Sequence, residues 1–314
     1  MQARTGKPGR LKGLFTELKK NHAAYLLLAP ALLLVLTLSY LPMSGIVLAF
    51  KSFKYNLGIF GSPWIGFENF RFFFMTGTGW NVTLNTITYN LVNLITLQTT
   101  SVILAIFISE SRNVAFKKIT QSMTFLPYFI SWVVVGMLAY NIFNFESGIM
   151  NTMLKANGMK PYNIYADTGV WRFVIPFVNI WKWVGYTSVI YIAAIAGVDQ
   201  ECFESADIDG ANILQKNLYI TIPCIAKSII IMVLLNVGRI LRGDFQMFYQ
   251  LVGNNGQLFK ATDVIDTFVF RSLLTSSELT MSSAATFYQS VLCFVIIFTV
   301  NGLVRRVDKD SALF

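Results

Sequence analysis

Long apolar segments constrain this chain more than any other feature of its sequence. Hydrophobic residues make up 54% of the 314 residues, charged residues make up 13%, and the mean hydropathy is +0.56. Charged residues reach roughly 25% in an average soluble domain. The apolar segments cover residues 23–50, 82–109, 123–143, 173–198, 224–245 and 285–304. Each is at or above the roughly 20 residues that a helix needs to cross a bilayer. The sequence therefore predicts an all-α polytopic membrane protein with six transmembrane helices.

The two ends of the chain predict its orientation and domain boundaries. Residues 1–22 form a tail that is rich in Lys and Arg. The apolar segment after it is too long for a signal-peptide core of about 7 to 15 residues, so it is the first span. Lys and Arg are concentrated on the cytoplasmic side of membrane proteins. We therefore expect both termini in the cytoplasm, mainly on the basis of the N-terminal tail, with one transmembrane domain over 23–304 and a second tail over 305–314.

The residue inventory excludes several kinds of active site. The chain has one histidine, His22, and its three cysteines lack the paired spacing of a metal site or a disulfide framework. The phosphate-binding sequence Gly-x-x-x-x-Gly-Lys-Ser/Thr is absent. The net charge of +9 comes from basic residues at membrane flanks, which do not form the basic and aromatic surface of a nucleic-acid-binding protein. We therefore expect that this chain has no catalytic residue and that it binds no metal, cofactor or nucleic acid.

An acidic segment, 199–223, separates the fourth and fifth predicted spans. Its carboxylates fall between Asp199 and Asp209, whereas loops between spans more usually carry Lys and Arg. Asp199 is the predicted N-cap of a short helix, and Gly210 allows the chain to reverse. Apolar residues at helical spacing over 211–221 predict a second short helix that ends near Pro223. This pattern indicates a surface that docks another protein, with a solvated acidic loop as the alternative.

The residues of this segment resemble a known motif. The matching residues are Glu204, Ser205, Ala206, Asp209, Gly210, Ala211, Ile222 and Pro223. They are similar to the coupling loop in the membrane subunits of ATP-binding-cassette (ABC) importers, a Glu-Ala-Ala triplet with a spaced Gly and a later Ile-x-x-Pro or Leu-Pro. Ser205 replaces the first Ala of the triplet. Segments 40–51, 62–70 and 125–135 resemble permeases of the carbohydrate-uptake branch, of the polysaccharide or oligosaccharide type.

The resemblance implies a fold, a function and a set of partners. The fold would be that of a type I ABC importer permease in the plasma membrane of a prokaryote. The partners would be a second, similar permease subunit, two ATPase subunits that hold ATP and Mg²⁺, an extracellular solute-binding lipoprotein and membrane lipid. A heterodimer of permeases is favoured, and a homodimer remains open. The solute would be an oligosaccharide or a polysaccharide fragment, and the coupling loop would transmit the movement of the ATPases.

Polar residues within two predicted spans mark a candidate solute path. They are Asn179, Lys182, Trp183 and Tyr186 on one face of the fourth span, and Asn236, Arg239 and Arg242 in a similar stripe on the fifth. A cation at the bilayer centre costs about 2.5 to 3.5 kcal/mol, so such residues normally face a cavity or a partner. Amide and guanidinium donors suit sugar hydroxyls, and the cations favour an acidic oligosaccharide. Pairing with the partner subunit and snorkelling to the membrane surface remain alternatives.

Two other classes of function are weighed against an importer. An ion-coupled secondary transporter would need carboxylates within the spans, but Glu110, Asp199 and Asp244 lie at the ends of predicted spans. An intramembrane enzyme would need a histidine pair or an activated Ser or Asp, which the sequence does not indicate. The Phe-rich loop 51–80 is either an aromatic belt at the membrane interface or a platform for an extracellular binding protein.

Overall fold

The computed structural model describes residues 20–275 and 278–307, and these residues are almost entirely helical. The α-helices are α1 (His22–Val35), α2 (Gly58–Gly61), α3 (Glu68–Met75), α4 (Thr78–Glu110), α5 (Val114–Phe129), α6 (Trp132–Phe143), α7 (Ile149–Ala156), α8 (Thr168–Ala196), α9 (Gln200–Ile208), α10 (Ile213–Lys216), α11 (Ile222–Val237), α12 (Phe245–Val252), α13 (Phe259–Thr262), α14 (Ile265–Thr275) and α15 (Leu279–Val307). The β pairing within the described ranges is one isolated bridge between Lys51 and Trp64. The all-α prediction is confirmed.

Five helical segments are long and apolar enough to cross a membrane, and counting the bent pair α5 and α6 as one span gives six. Span 1 runs from His22 to Phe50, with a π-helical segment at Leu36–Tyr40 and a 3-10 segment at Leu41–Phe50. Spans 2, 4 and 6 are α4, α8 and α15, span 3 is the bent pair, and span 5 is Ile213–Val237. This agrees with the predicted number and order of spans. Most of the two predicted tails lies outside the described residues.

Span 3 is not the continuous helix predicted over 123–143. α5 ends at Phe129, α6 begins at Trp132, and their axes are bent by 94°. The side chain of Ser131 accepts a hydrogen bond from the backbone N–H of Val134 at 3.4 Å and so caps the start of α6. The break is also held by a side chain of span 4, described below.

Span 5 differs from its prediction at both ends. The second short helix predicted over 211–221 is not separate, because α10 continues through the π-helical segment Asn217–Thr221 into α11. Pro223 lies just after the π-helical segment, so its missing N–H falls within this continuous helical run. At the other end, α11 stops at Val237 rather than continuing to residue 245. The coupling segment is thus one short helix, α9, followed by the base of span 5.

Polar side chains of span 2 bond to other parts of the same chain. Asn85 Nδ2 donates to the carbonyl oxygen of Asp263 at 3.0 Å, and Asn90 Nδ2 donates to that of Ile240 at 2.7 Å. Gln98 accepts a hydrogen bond from the buried hydroxyl of Tyr191 on span 4. The prediction that this side of span 2 faces other helices or a water path is confirmed. These particular groups therefore do not require a second subunit.

Span 1 and the loop after it have both packed and exposed parts. His22–Val35 contains no buried residue, whereas Leu48 and Ala49 at the other end of the span are buried. The ring of Phe50 lies 5.2 Å from that of Phe287 on span 6. Within loop 51–80 the exposed aromatic residues are Tyr55, Phe60, Trp64, Phe67, Phe72 and Trp80. Both interpretations of this loop depend on such exposed rings, so both stay predictions.

Candidate functional site

The turn of the coupling loop is built by local sequence, as predicted. Gly210 has a φ of +77°, in the left-handed region that favours glycine. The backbone N–H of Ala211 donates to the carbonyl of Ala206 at 2.9 Å, and that of Gly210 donates to the carbonyl of Asp207 at 3.2 Å. This pattern is a Schellman motif, which ends α9. The predicted N-cap Asp199 begins α9 by accepting a bond from the N–H of Glu201 at 3.0 Å.

Asn212 is a loop residue whose role the sequence analysis missed. Its side chain accepts from the backbone N–H of Gln215 at 2.9 Å, while the Gln215 side chain accepts from the N–H of Asn212 at 2.8 Å. This reciprocal pair is a capping box, which fixes the start of α10. The sequence did contain a signal for this helix start, because Asn followed three residues later by Gln is a recognised capping pattern.

One ion pair joins the two sides of the coupling loop. Lys216 Nζ, on a side chain that is 16% exposed, lies 2.8 Å from Oδ1 of Asp207, which is 61% exposed. Both residues line a cavity of about 480 Å³ between the loop and the ends of spans 2 to 5. The tip of the loop is apolar and open, with Ile208 at 87% and Tyr219 at 78% exposure. The motif residues Glu204, Ser205, Asp209, Gly210 and Pro223 are exposed, and Ala206, Ala211 and Ile222 are half-buried.

The predicted solute-path residues converge on a second cavity. Its volume is about 650 Å³, and its walls come from spans 2, 4 and 5 and the segment after span 5. Asn179, Trp183, Tyr186, Asn236, Arg239 and Arg242 all line it. Spans 4 and 5 thus bring their predicted polar faces together across one space, which we call the central cavity.

Lys182 is the exception among the predicted path residues. It is 4% exposed and does not line the central cavity. Its Nζ donates to the carbonyl oxygens of Pro127 and Tyr128, both at 3.3 Å, and to that of Ile130, and it lies 5.0 Å from the ring centroid of Trp132. The end of a helix leaves carbonyl groups without intrahelical donors and carries partial negative charge. The ammonium group therefore binds the broken end of span 3 and does not face the central cavity.

Arg239 and Arg242 lie on a non-helical segment, contrary to the predicted helical stripe. Residues 238–243 follow the end of α11, and side chains from distant parts of the chain bind their backbone. Asn90 donates to the carbonyl of Arg242 at 3.1 Å, Gln289 donates to that of Leu241 at 2.6 Å, and Asp266 accepts from the N–H of Gly243 at 2.7 Å. Local turn bonds, such as that from the N–H of Arg242 to the carbonyl of Arg239 at 2.8 Å, pair other backbone groups of the segment, so it leaves the helix with its backbone partners.

Aromatic packing forms another wall of the central cavity. The ring of Tyr186 stacks on that of Tyr128, with centroids 4.5 Å apart and planes 13° apart, and Trp183 meets Tyr128 edge-on at 5.4 Å. Spans 3 and 4 approach closely at Gly185, where an added Cβ would lie 2.0 Å from the carbonyl oxygen of Thr124. The rings that line the cavity are therefore positioned by the broken end of span 3.

Several cavity residues were not assigned to the solute path from the sequence. Asn90, Asn93 and Gln98 line it from span 2, and Asp244 lines it after span 5. The Oδ1 atom of Asn93 is buried and has no hydrogen-bond partner in the described part of the chain. Polarity within span 2 was the available signal, but that pattern alone does not distinguish contact with a helix from contact with a cavity.

Comparison with known proteins identifies the family. A family model described as binding-protein-dependent transport system inner membrane component matches residues 101–309. This range contains the coupling loop, spans 3 to 6 and most of the central cavity. The chain belongs to this family. The predicted class, a multi-pass transport permease, is confirmed, and members of this family are transport subunits rather than enzymes.

Relatives of this permease match it over nearly their whole length. Protein LplB of Bacillus subtilis (strain 168) is 30% identical over 294 residues, which cover 94% of this chain and 92% of that protein. The polygalacturonan/rhamnogalacturonan transport system permease protein YteP of the same organism is 28% identical over 305 residues, covering 97% of this chain and 94% of that protein.

Solved structures confirm the type I ABC importer permease fold. One is a crystal structure of a bacterial ABC transporter involved in the import of the acidic polysaccharide alginate. The match has a TM-score of 0.84 and 29% sequence identity, and it covers 94% of this permease and 99% of that chain. A second is the bacterial alginate ABC transporter in complex with alginate pentasaccharide-bound periplasmic protein, with a TM-score of 0.83 and 28% identity over 94% and 98% of the two chains.

Proposed function

We propose that this permease forms the membrane pathway through which an ABC importer moves an oligosaccharide or polysaccharide fragment into the cell. The observation that carries the proposal is the central cavity, where Asn179 and Asn236 supply amide groups and Trp183 and Tyr186 supply rings. Amides bond to sugar hydroxyls, and aromatic rings pack on the apolar face of a pyranose. The carbohydrate transport functions of YteP and the alginate transporter support the same class of solute.

The coupling loop connects this pathway to an ATPase subunit in the proposal. α9 projects Glu204 and Ser205 to the solvent, and the open apolar tip at Ile208 and Tyr219 suits insertion into a partner. Span 5 begins directly at this loop and runs to the central cavity at Asn236. When ATP closes the ATPase dimer, the loop moves with it and shifts span 5, so that the cavity alternates between outward and inward access.

The remaining parts of the importer follow from this mechanism. Two ATPase subunits would hold ATP and Mg²⁺, so this permease would need no ATPase site or cofactor of its own. A second permease, either different or identical, would complete the pathway, and an extracellular solute-binding lipoprotein would deliver the solute. The permease would lie in the plasma membrane of a prokaryote, with the coupling loop and both termini in the cytoplasm.

Reconstitution tests this proposal directly. The permease is purified with its partner permease and ATPase subunits, placed in proteoliposomes and supplied with the binding protein and labelled oligosaccharides. We expect uptake that requires ATP inside the vesicle and stops when the binding protein is omitted. Uptake driven by a proton or sodium gradient without ATP would instead indicate a secondary transporter.

A further inference from the structure

The charges in the central cavity are not balanced. Arg239, Arg242 and Asp244 are the charged residues among those that line it, and both arginines are exposed to the cavity. Neither arginine forms an ion pair with any described residue. Two guanidinium groups therefore lack a direct counter-ion in a cavity lined by membrane-spanning helices, where an unpaired charge is costly.

The carboxylates of Asp244, in the same cavity, and of Asp266, which interacts electrostatically with Arg242, have other hydrogen-bond partners. Asp244 accepts from the backbone N–H of Met247 at 3.1 Å and from the side chain of Trp132, and its charge interacts with Lys182. Asp266 is within electrostatic range of Arg242, but its Oδ2 accepts from Gly243 and from the side chain of Gln289. Each carboxylate thus serves to cap a helix or fix the backbone.

The backbone that carries the arginines is fixed by other parts of the chain. Asn90 Nδ2 bonds to the carbonyl oxygens of Ile240 and Arg242, and Gln289 bonds to that of Leu241. Interrupted helices at the bundle interior are typical of solute sites in membrane transporters, because the freed backbone lines a cavity. The arginines are thus presented from a fixed segment, so a ligand would not have to order that backbone on binding.

From this arrangement we propose that the central cavity selects oligosaccharides that carry carboxylate groups, such as uronates, and binds those carboxylates at Arg239 and Arg242. Planar guanidinium groups match the two oxygens of a carboxylate in charge and in geometry. Trp183 and Tyr186 pack against the sugar ring, and Asn93 and Asn179 meet its hydroxyls. The inference depends on the proposed function and adds the substrate class to it.

Paired substrates that differ only in charge test the inference. Short galacturonate and alginate oligosaccharides are compared with their carboxyl-reduced, neutral forms in the reconstituted importer. The measured quantity is the ratio of kcat/KM for the acidic form to kcat/KM for the neutral form. The same binding protein is used throughout, so a change in this ratio between permease variants originates in the permease. We expect the wild-type importer to favour the acidic form.

Substitution of the arginines then assigns the preference to the cavity. Arg239→Gln and Arg242→Gln should each lower the ratio about tenfold, the effect of losing one charged hydrogen bond, while import of the neutral form continues and shows that the complex is folded. Arg172→Gln is the matched control, because Arg172 is exposed on span 4 and does not line the cavity. Its ratio should equal that of the wild type.

Two results would overturn the inference without affecting the proposed function. One is ATP-dependent import in which the arginine variants keep the wild-type ratio. The other is import of neutral oligosaccharides with no import of any acidic form. Failure to import saccharides of either charge with ATP would contradict the proposed function itself, and this inference with it.

Discussion

The Nζ atom of Lys182 lies 3.3 Å from the carbonyl oxygen of Tyr128, so span 4 binds the end of α5 at the point where span 3 breaks. Span 4 also contacts the side chain of Tyr128. The ring of Tyr128 stacks on that of Tyr186, which lies one helical turn after Lys182. A buried ammonium group is costly unless several acceptors surround it. Here the acceptors are backbone carbonyls, and the 94° bend exposes them.

We expect Lys182→Met to destabilise the permease by about 3 kcal/mol, because it leaves carbonyl groups buried without donors. Lys182→Arg should recover part of the loss, since the guanidinium group also donates. The measurement is thermal unfolding of the purified complex, with exposed Lys118 as the matched site for a Lys→Met control. A Met variant as stable as the wild type would mean that Lys182 does not hold the break.

Gly185→Ala should also weaken the contact between spans 3 and 4. The new Cβ would lie 2.0 Å from the carbonyl oxygen of Thr124, and a backbone atom cannot move aside as a side chain does. Overpacking of this kind costs about 1 to 3 kcal/mol. Gly302→Ala on span 6 is the control, because no atom lies within 4 Å of its added Cβ. Equal unfolding temperatures for the two variants would contradict the close approach.

The turn at Gly210 provides a test of coupling. Its φ of +77° disfavours a side chain with a branched Cβ, whereas no atom lies within 4 Å of an added Cβ, so the effect is one of backbone conformation. Gly210→Val should abolish ATP-driven uptake while the protein still inserts into the membrane. Gly210→Asn should retain much of the activity, because Asn tolerates the left-handed region. Normal uptake by the Val variant would remove this turn from the coupling mechanism.

The Lys216–Asp207 ion pair should affect coupling more than stability. A partly exposed pair contributes only about 0 to 1 kcal/mol, yet this one links α9 to the base of span 5. We expect Asp207→Lys to raise the number of ATP molecules hydrolysed per sugar imported, because the loop then moves without span 5. The double variant Asp207→Lys with Lys216→Asp should lower that number towards the wild-type value. A double variant no better than the single one would show that the pair itself is not used.

The sequence by itself determined the features that depend on local pattern. Six apolar segments specify the class of protein, because a bilayer requires a minimum helix length. The acidic helix and its turn could also be predicted, since Asp199 and Gly210 act on backbone groups within a few residues of themselves. The polar faces of spans 4 and 5 indicated a shared space, and six of the seven residues named for it line the central cavity.

Only the tertiary structure decided where helices are interrupted and which cations are free. The broken end of span 3 is bound by Lys182, some fifty positions later in the chain, which supplies donors to its carbonyls. Span 5 ends at Val237, and Asn90 and Gln289 bind the backbone after it, from 150 and 48 residues away. Helical periodicity concerns one helix at a time, so it predicted the same place on the solute path for Lys182 and Arg239. Long-range hydrogen bonds bury the first cation and leave the second open to the cavity.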